Sequence, residues 1–337
     1  MSTLHDLAPL DALLERTTTT EVRPRYEGSN ICTWIGFKHV NYLVEEAVLE
    51  HFRRSGIPAR ELYEGHGLGL DVVELDTRIL TALHMDDLAT AEVTPTTRED
   101  DDELGFIVGI GVERDGLPTK AVTSKVRVAL RADEWSDRPA APPPAGLERY
   151  AVTRIGSRDA ARPGAPAQPF GGRGTGAGNG GGDPVLQQLV AGRNAFGWKW
   201  RIPYPYCHFT ERMQMSGYLR QMEEVVDLFL ADRGISIRQL LDDRRWIPVV
   251  PHSQIRMLDE VVMEEELYTI YTVEDVFKDF TYTSRMDCYV VREGELVQTA
   301  TGRITHGYAV IENRRDWRLV SFDERVSRAL RGDRPSA

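Results

Sequence analysis

Cysteine is scarce in this chain of 337 residues, and its placement excludes two kinds of site. The three residues Cys32, Cys207 and Cys288 cannot all pair with one another, and none has a partner at the spacing of a metal-binding motif. The opening residues Met-Ser-Thr-Leu-His-Asp-Leu also lack the basic and apolar regions of a signal peptide. We therefore expect a reduced, cytoplasmic protein without a disulfide framework, and we expect no metal site.

Excess positive charge and long apolar runs are missing as well. The chain carries 41 Lys and Arg residues against 52 Asp and Glu residues, which gives a net charge of −11. A nucleic-acid-binding surface needs a basic footprint, so nucleic acid is not expected as a partner. No apolar stretch approaches the roughly 20 residues of a membrane-spanning helix, so no membrane partner is expected either.

An internal repeat is the most informative feature that the chain does have. Residues 45–57 read Glu-Glu-Ala-Val-Leu-Glu-His-Phe-Arg-Arg-Ser-Gly-Ile, and residues 223–235 read Glu-Glu-Val-Val-Asp-Leu-Phe-Leu-Ala-Asp-Arg-Gly-Ile. The offset is 178 positions, from Glu45 to Glu223, and it also relates Arg60 to Arg238. Similar segments at one fixed spacing indicate a duplicated domain.

Both halves predict the same order of elements: a short strand, a loop, one long helix and about four strands. Apolar residues recur at helical spacing over 40–54 and again over 216–232, which predicts the two helices. Alternating patterns predict strands at 70–80, 89–95, 104–114 and 119–131, and at 246–257, 265–274, 281–292 and 296–310. Because hairpin-like turns link the later strands, we expect an α+β fold in which an antiparallel sheet curls around each helix.

Composition places the boundaries between these units. Residues 136–195 are rich in proline and then in glycine, which predicts a linker between an N-terminal domain at 20–135 and a C-terminal domain at 196–315. Within the linker, we expect residues 137–185 to be mostly irregular and poorly packed. Residues 316–337 are rich in charge, and they are expected to form a tail that packs only in part.

The loop and helix of the first half resemble a known family. His39-Val40-Asn41 at the helix start, with Tyr42-Leu43 and Glu45-Glu46-Ala47 behind it, is similar to hotdog proteins of the 4-hydroxybenzoyl-CoA thioesterase type. The pattern of that family is Asp-x-Asp-x-x-Gly-His-Val-Asn-Asn, followed by Tyr-Leu and Glu-Glu-Ala. The second half resembles it through Phe209-Thr210-Glu211, Tyr218-Leu219-Arg220 and Met222-Glu223-Glu224.

The resemblance implies a double hotdog. Two antiparallel sheets, each wrapped around a central long helix, would pack as a pseudo-dimer and join edge to edge. Family members bind an acyl thioester at the seam between two such units. Unpaired N–H groups of the first helical turn, at 38–40 in one half and 215–217 in the other, would then hold the carbonyl oxygen.

The sequence also departs from the family pattern. Thr33 and Ile35 stand where the two aspartates belong, and Glu211 is the nearest carboxylate in the second half. Each half therefore keeps part of the usual set. One composite site at the seam would leave this pattern, and so would a fold that has lost its catalysis.

The candidate catalytic residues are Glu211 as general base, with His39 and Asn41 at the carbonyl oxygen. Each has a structural alternative, since His39 and Asn41 can satisfy the helix end and Glu211 can be a solvated loop carboxylate. The candidate substrate-binding residues are Thr33, Lys38, Val40, Glu46, Gly217, Tyr218 and Glu224.

Other polar residues around the helices have either a binding or a structural interpretation. Of the pairs Glu45-Glu46 and Glu223-Glu224, one member each is expected to face the seam, where burial would raise its pKa. Four arginines could meet the phosphates of coenzyme A or of a phosphopantetheine arm, or could lie on a solvated surface: Arg53, Arg54, Arg212 and Arg220.

These observations favour hydrolysis of an acyl thioester, with an acyl-CoA or an acyl carrier protein as partner. No cofactor is expected beyond the CoA or phosphopantetheine of the substrate. Composition associates the chain with polyketide or other acyl-chain metabolism. One alternative is a double-hotdog dehydratase that pairs His39 with Asp227 or Glu224, and another is a non-catalytic module that binds acyl thioesters. The sequence is also compatible with a homo-oligomer that assembles through sheet or helix faces.

Overall fold

The computed structural model describes residues 8–133, 140–156, 177–178, 182–209, 211–314 and 316–333. The helices are α1 Pro9–Glu15, α2 Phe37–Arg54, α3 Ala59–His66, α4 Pro184–Val190, α5 Met215–Asp232, α6 Ile237–Arg244 and α7 Glu324–Leu330. The strands are β1 Thr18–Val22, β2 Leu68–Ile79, β3 Ala89–Pro95, β4 Leu104–Arg114, β5 Leu117–Ala132, β6 Ala151–Val152, β7 Ala177–Gly178, β8 Ala195–Arg201, β9 Cys207–His208, β10 Arg212–Met213, β11 Trp246–Met257, β12 Glu266–Phe277, β13 Thr281–Arg292, β14 Glu295–Ile311 and β15 Trp317–Val320. Among these residues, no helix combines the length and the apolar composition needed to cross a bilayer.

One sheet of 13 strands runs through both halves. Its order is β1-β3-β4-β5-β2-β11-β14-β13-β12-β8-β7, with β6 beside β5 and β15 beside β14. Every pairing is antiparallel except that of β5 with β6. The second half repeats the strand order of the first in reverse, and β2 pairs with β11 at the junction. The two sheets expected from the sequence are therefore continuous parts of one sheet, joined edge to edge.

The register of the junction follows the repeat. Helix α5 begins 178 positions after α2, from Phe37 to Met215, and both helices have 18 residues. Across the junction, Asp76 lies opposite Gln254, which is its own equivalent in the second half. Glu74 lies opposite Arg256, the equivalent of Arg78. The two halves are thus related by an approximate twofold axis that passes between Asp76 and Gln254.

The two long helices form because each presents an apolar stripe to the sheet. In α2 the stripe includes Val40, Val44, Val48 and Phe52, all fully buried. The same spacing recurs in α5, and both helices begin slightly earlier than the sequence predicted. The pattern did not predict α3 and α6, because each has eight residues and one buried leucine.

A buried polar network ties α2 to the junction. Asn41 is 0% exposed, and its Nδ2 donates to the Phe37 carbonyl oxygen at 2.9 Å and to Ser253 Oγ at 3.4 Å. Its Oδ1 accepts from Thr77 Oγ1 at 2.6 Å. Thr77 on β2 and Ser253 on β11 are register partners across the junction. One side chain of the first helix therefore binds the strands of both halves.

The segment predicted as a linker is partly packed, so that prediction was too broad. Leu147, Tyr150 and Ile155 are buried in the core, and β6 pairs with β5. Helix α4 also buries apolar side chains. Composition did not reveal these residues, because a few apolar side chains hardly change the average amino-acid composition of a segment rich in proline and glycine. Residues 157–176 and 179–181, which hold most of the glycine run, lie outside the described residues.

The charged tail is also more structured than its composition suggested. Strand β15 extends the sheet beside β14, and α7 follows it. Phe322, Val326 and Leu330 are buried in the main core. Their spacing of four positions places them on one face of a helix and its entry, with the charged residues on the other face.

The Asn41 network gives a direct stability prediction. We expect Asn41→Ala to lower the free energy of unfolding by about 2–3 kcal/mol, because buried partners would lose their hydrogen bonds without gaining water. Urea denaturation measures the change. Arg60→Ala is the control, because Arg60 forms an exposed pair with Glu64 and its loss should have little effect. Equal stability of the two variants would contradict the proposed importance of the network.

Candidate functional site

The first turn of α2 has two backbone N–H groups available to a ligand. The N–H groups of His39 and Val40 both donate to the Gly36 carbonyl oxygen, at 3.0 and 3.1 Å. Those of Phe37 and Lys38 have no hydrogen-bond partner among the described residues. The sequence had placed the donors at 38–40, and the structure moves them to 37–38. Such free N–H groups at the positive end of an 18-residue helix favour a partial negative charge.

His39 lies at this helix start and is held by a residue that the sequence analysis missed. Its Nε2 is 3.3 Å from Glu27 Oε1, and its ring meets Tyr42 edge-on at 5.1 Å. The hydrogen bond to His39, followed by the charge of His39, lowers the pKa of Glu27. Gly28 makes room for the ring, since a Cβ there would lie 2.9 Å from His39 Cβ.

Helix α5 brings three carboxylates to the same place. Glu223 pairs with Lys38 at 2.6 Å, so one ion pair links the flank of α5 to the start of α2. Glu224 accepts a hydrogen bond from the Tyr206 hydroxyl group, which fixes one of its two oxygens. Asp227 follows one turn later and is exposed.

These groups line a cavity of about 670 Å³. Its polar side includes Glu27, Lys38, His39, Glu223, Glu224 and Asp227. Its apolar walls include Trp34, Val226, Val249, Phe280, Trp317 and Leu319. The cavity therefore lies between the start of α2 in one half and α5, β11, β13 and β14 in the other. Its volume and its mixed polar and apolar lining are typical of a small-molecule site.

Three of the ten candidate residues line this cavity: Lys38, His39 and Glu224. Asn41 does not line it, because both polar atoms of its side chain are used in the network at the junction. Val40 is fully buried in the core. Thr33 contacts His84 Nδ1 at 3.1 Å, and Glu46 pairs with Arg53 on the surface.

The four candidates from the second half behave differently from one another. Glu224 lines the cavity, whereas Gly217 and Tyr218 lie at the start of α5 and are buried there. Glu211 lies between β9 and β10 with a φ of 69°, and its carbonyl oxygen accepts from the Met263 N–H at 2.8 Å. It is not among the residues that line the cavity. The structure therefore does not bring Glu211 into the cavity that His39 lines.

The start of α5 is filled where the start of α2 is open. Arg212 and Asp71 form a buried ion pair at 2.7 Å, with their side chains 4% and 1% exposed. Their equivalents in the other half are Trp34 and Val249, and both line the cavity. A Cβ at Gly217, the equivalent of His39, would lie 2.8 Å from the Tyr206 carbonyl oxygen. The repeat has thus kept one open helix start and closed the other.

One glutamate on α2 carries the raised pKa that the sequence analysis expected. Burial, and then the charges of Glu46 and Asp71, raise the pKa of Glu45 to about 7. Its equivalent Glu223 has Lys38 as a cationic partner, but the residue equivalent to Lys38 beside Glu45 is Ser216. Glu45 therefore faces the closed side of the molecule without that compensation.

The remaining polar candidates have structural partners. Arg53 and Arg54 pair with glutamates on α2, Arg212 is buried with Asp71, and Arg220 lies over the Tyr206 ring at 5.0 Å. All three cysteines are free thiols. Burial, together with the charge of Glu211, raises the pKa of Cys207 to about 11, which disfavours a thiolate nucleophile.

The raised pKa of Glu45 predicts how stability depends on pH. Since the folded-state value lies above the usual 4.5, the folded protein holds this proton more tightly than the unfolded chain does. The contribution of Glu45 to the free energy of unfolding is then fully present below about pH 4.5 and is lost as the pH rises through 7. We expect Glu45→Gln to match the parent protein at acid pH and to exceed its stability by on the order of 2 kcal/mol at pH 8.

Urea unfolding at several pH values tests this prediction. Glu61→Gln, at an exposed position of α3, serves as the control and should show the pH dependence of the parent protein. A Glu45→Gln protein whose pH dependence also equals that of the parent would show that Glu45 ionises as it does in the unfolded chain.

Comparisons with known proteins agree on the fold. No family model matches the sequence, and no curated protein matches it either. A structure described as an oleoyl thioesterase from Lactobacillus plantarum superposes with a TM-score of 0.55 at 10% identity, covering 89% of this chain and 97% of that one. The 12:0-ACP thioesterase from Umbellularia californica gives a TM-score of 0.55 at 10% identity, covering 90% of this chain and 94% of that one. The chain therefore has a tandem hotdog fold like that of these thioesterases.

Proposed function

We propose that the protein hydrolyses an acyl thioester, carried by coenzyme A or by an acyl carrier protein, in the cavity at the start of α2. The observation that supports this is the convergence of unpaired helix N–H groups, His39 and the carboxylates of α5 on one cavity. Acyl transfer to water requires a group that stabilises the carbonyl oxygen and a base that activates water, and both kinds are present here.

The carbonyl oxygen of the thioester would accept hydrogen bonds from the N–H groups of Phe37 and Lys38. These donors are fixed by the helix, so they need no reorganisation when negative charge develops on the oxygen. One well-placed donor of this kind contributes roughly 3–4 kcal/mol to the stability of the transition state. Lys38 adds a positive charge at the same end of the helix, partly offset by Glu223.

Glu224 is the proposed general base. Tyr206 holds one carboxylate oxygen, which leaves the other to accept a proton from water. The water oxygen attacks the thioester carbon, the carbon–sulfur bond breaks as the intermediate collapses, and the proton passes to the departing thiolate. His39, held by Glu27, supports the carbonyl side of the site. The reaction needs no cofactor beyond the CoA or phosphopantetheine that the substrate brings.

Dehydration of a hydroxyacyl thioester is the second candidate. The observation that favours it is that His39 from one half and Glu224 and Asp227 from the other line the same cavity. A histidine and a carboxylate on opposite sides of a substrate can remove a proton and protonate a leaving hydroxyl group. Mass spectrometry of hydroxyacyl-CoA after incubation separates the reactions, since dehydration loses water from the acyl chain and hydrolysis releases free CoA.

Substitutions at the cavity test hydrolysis. With a panel of acyl-CoAs and a thiol reagent, His39→Ala and Glu224→Gln should each lower kcat by about 10²-fold or more, the usual scale for loss of an acid–base or polarising group. Glu61→Gln on α3 is the matched carboxylate control. Glu211→Gln distinguishes the two helix starts, because a comparable loss there would place the base on the closed side. Binding of acyl-CoA without release of thiol by the parent protein would favour the non-catalytic module.

Gly28 provides an independent test of the His39 position. We expect Gly28→Ala to lower kcat/KM by roughly tenfold or more, because the new methyl group would displace the His39 ring. Gly65→Ala is the control, since a Cβ at Gly65 meets no atom within 4 Å. In the His39→Ala background, Gly28→Ala should have little further effect. Additive losses in the double variant would show that Gly28 acts through some other contact.

A further inference from the structure

One wall of the cavity holds a buried polar side chain that the proposed hydrolysis does not use. His306 on β14 lines the cavity and is 2% exposed. Its Nδ1 is buried and has no hydrogen-bond partner among the residues that the structure describes. The equivalent residue in the first half is Val128, which is fully buried. The second half therefore has a histidine at this position, where the first half has an aliphatic side chain.

The surroundings of His306 fix the ring without satisfying it. The ring stacks on Tyr282, its register partner on β13, with 5.0 Å between centroids and 14° between planes. Tyr282 is in turn packed against Phe322 from the segment before α7. A ring that is stacked in this way cannot turn freely toward solvent. Burying a polar group without a hydrogen-bond partner is costly, and a ligand in the cavity that His306 lines can offer the ring a partner.

The charge state of His306 defines the ligand chemistry. Burial lowers its pKa to about 3, so the imidazole is neutral at neutral pH. A neutral imidazole has one N–H donor and one nitrogen acceptor. It therefore suits a neutral oxygen, a hydroxyl or a keto group, rather than a carboxylate or a phosphate.

We propose that His306 is a specificity-determining residue that binds a hydroxyl or keto oxygen on the acyl chain of the substrate. The inference rests on the proposed function, because it assigns the acyl chain to this cavity. The thioester carbonyl is already assigned to the N–H groups of α2, in the first half, so the oxygen at His306 belongs to the chain. Trp34, Trp317 and Leu319 supply apolar contacts for its hydrocarbon part. The substrate class is then an oxygenated acyl thioester, in preference to a saturated one.

Binding of free acids tests the inference without any turnover. Isothermal titration calorimetry would compare decanoic acid with hydroxydecanoic and ketodecanoic acids whose oxygen is moved along the chain. At least one oxygenated acid should bind the parent protein about tenfold or more tightly than decanoic acid. His306→Val, which copies the first half, should lose this preference while still binding decanoic acid. His306→Gln keeps a donor and an acceptor and should restore part of the preference.

Equal binding of all the acids, binding of none of them, or an unchanged preference in His306→Val would overturn the inference. Hydrolysis of the corresponding acyl-CoAs is measured separately. Turnover of saturated and oxygenated thioesters at equal rates would leave the thioesterase proposal intact and remove the role of His306. An acid preference that depends on His306, with no release of thiol from any thioester, would keep the role of His306 in binding and remove the thioesterase proposal.

Discussion

The antiparallel pairing of β2 with β11 is the interaction on which the rest of the structure depends. It joins two copies of one duplicated unit into a single sheet, and it fixes their register about the Asp76–Gln254 pair. Because the pairing is antiparallel and nearly symmetric, the start of each long helix faces the flank of the other helix. Asn41 strengthens this arrangement from inside, since its side chain bonds Thr77 on one strand and Ser253 on the other.

The approximate symmetry creates two similar places, and the sequence treats them differently. At the start of α2, Gly28 leaves room for the His39 ring, and the cavity lies beside it. At the start of α5, Arg212 and Asp71 occupy the corresponding space as a buried ion pair. Burying two charges is costly even when they pair, so a buried ion pair adds little to the stability of the folded protein. The main effect of this pair is to fill the space at the start of α5. One open and one filled position explain why a duplicated chain would carry a single site.

Periodicity in the sequence was sufficient for the large elements and insufficient for the small ones. The apolar stripes of α2 and α5 and the alternating strands are long, so their spacing predicts them within a few residues. Helices α3 and α6 are short and polar, and the anchors Leu147 and Tyr150 are isolated in a segment of unusual composition. Contacts with the surrounding core stabilise such elements, and a local sequence pattern carries no information about those contacts.

The site shows the same division. Lys38, His39 and Glu224 could be found from the repeat and the family resemblance, since they lie on or next to the two helices. Glu27 and His306 could not, because their positions depend on how a loop and a distant strand return to the cavity. Glu211 lies outside this cavity, and its position depends on local backbone geometry that the sequence pattern does not show: Phe209 and Glu211 both adopt positive φ values. The available signal that this side is closed was Asp71, the one charged residue within the otherwise apolar run 68–73 at the start of β2.

The most direct test of the account is a crystal structure of the protein with a non-hydrolysable acyl-CoA analogue that keeps the carbonyl group. We predict the carbonyl oxygen at about 3 Å from the backbone nitrogens of Phe37 and Lys38, with the acyl chain packed against the cavity walls that include Trp34 and Trp317. An analogue bound instead at the start of α5, with the Arg212–Asp71 pair displaced, would contradict the assignment of the site.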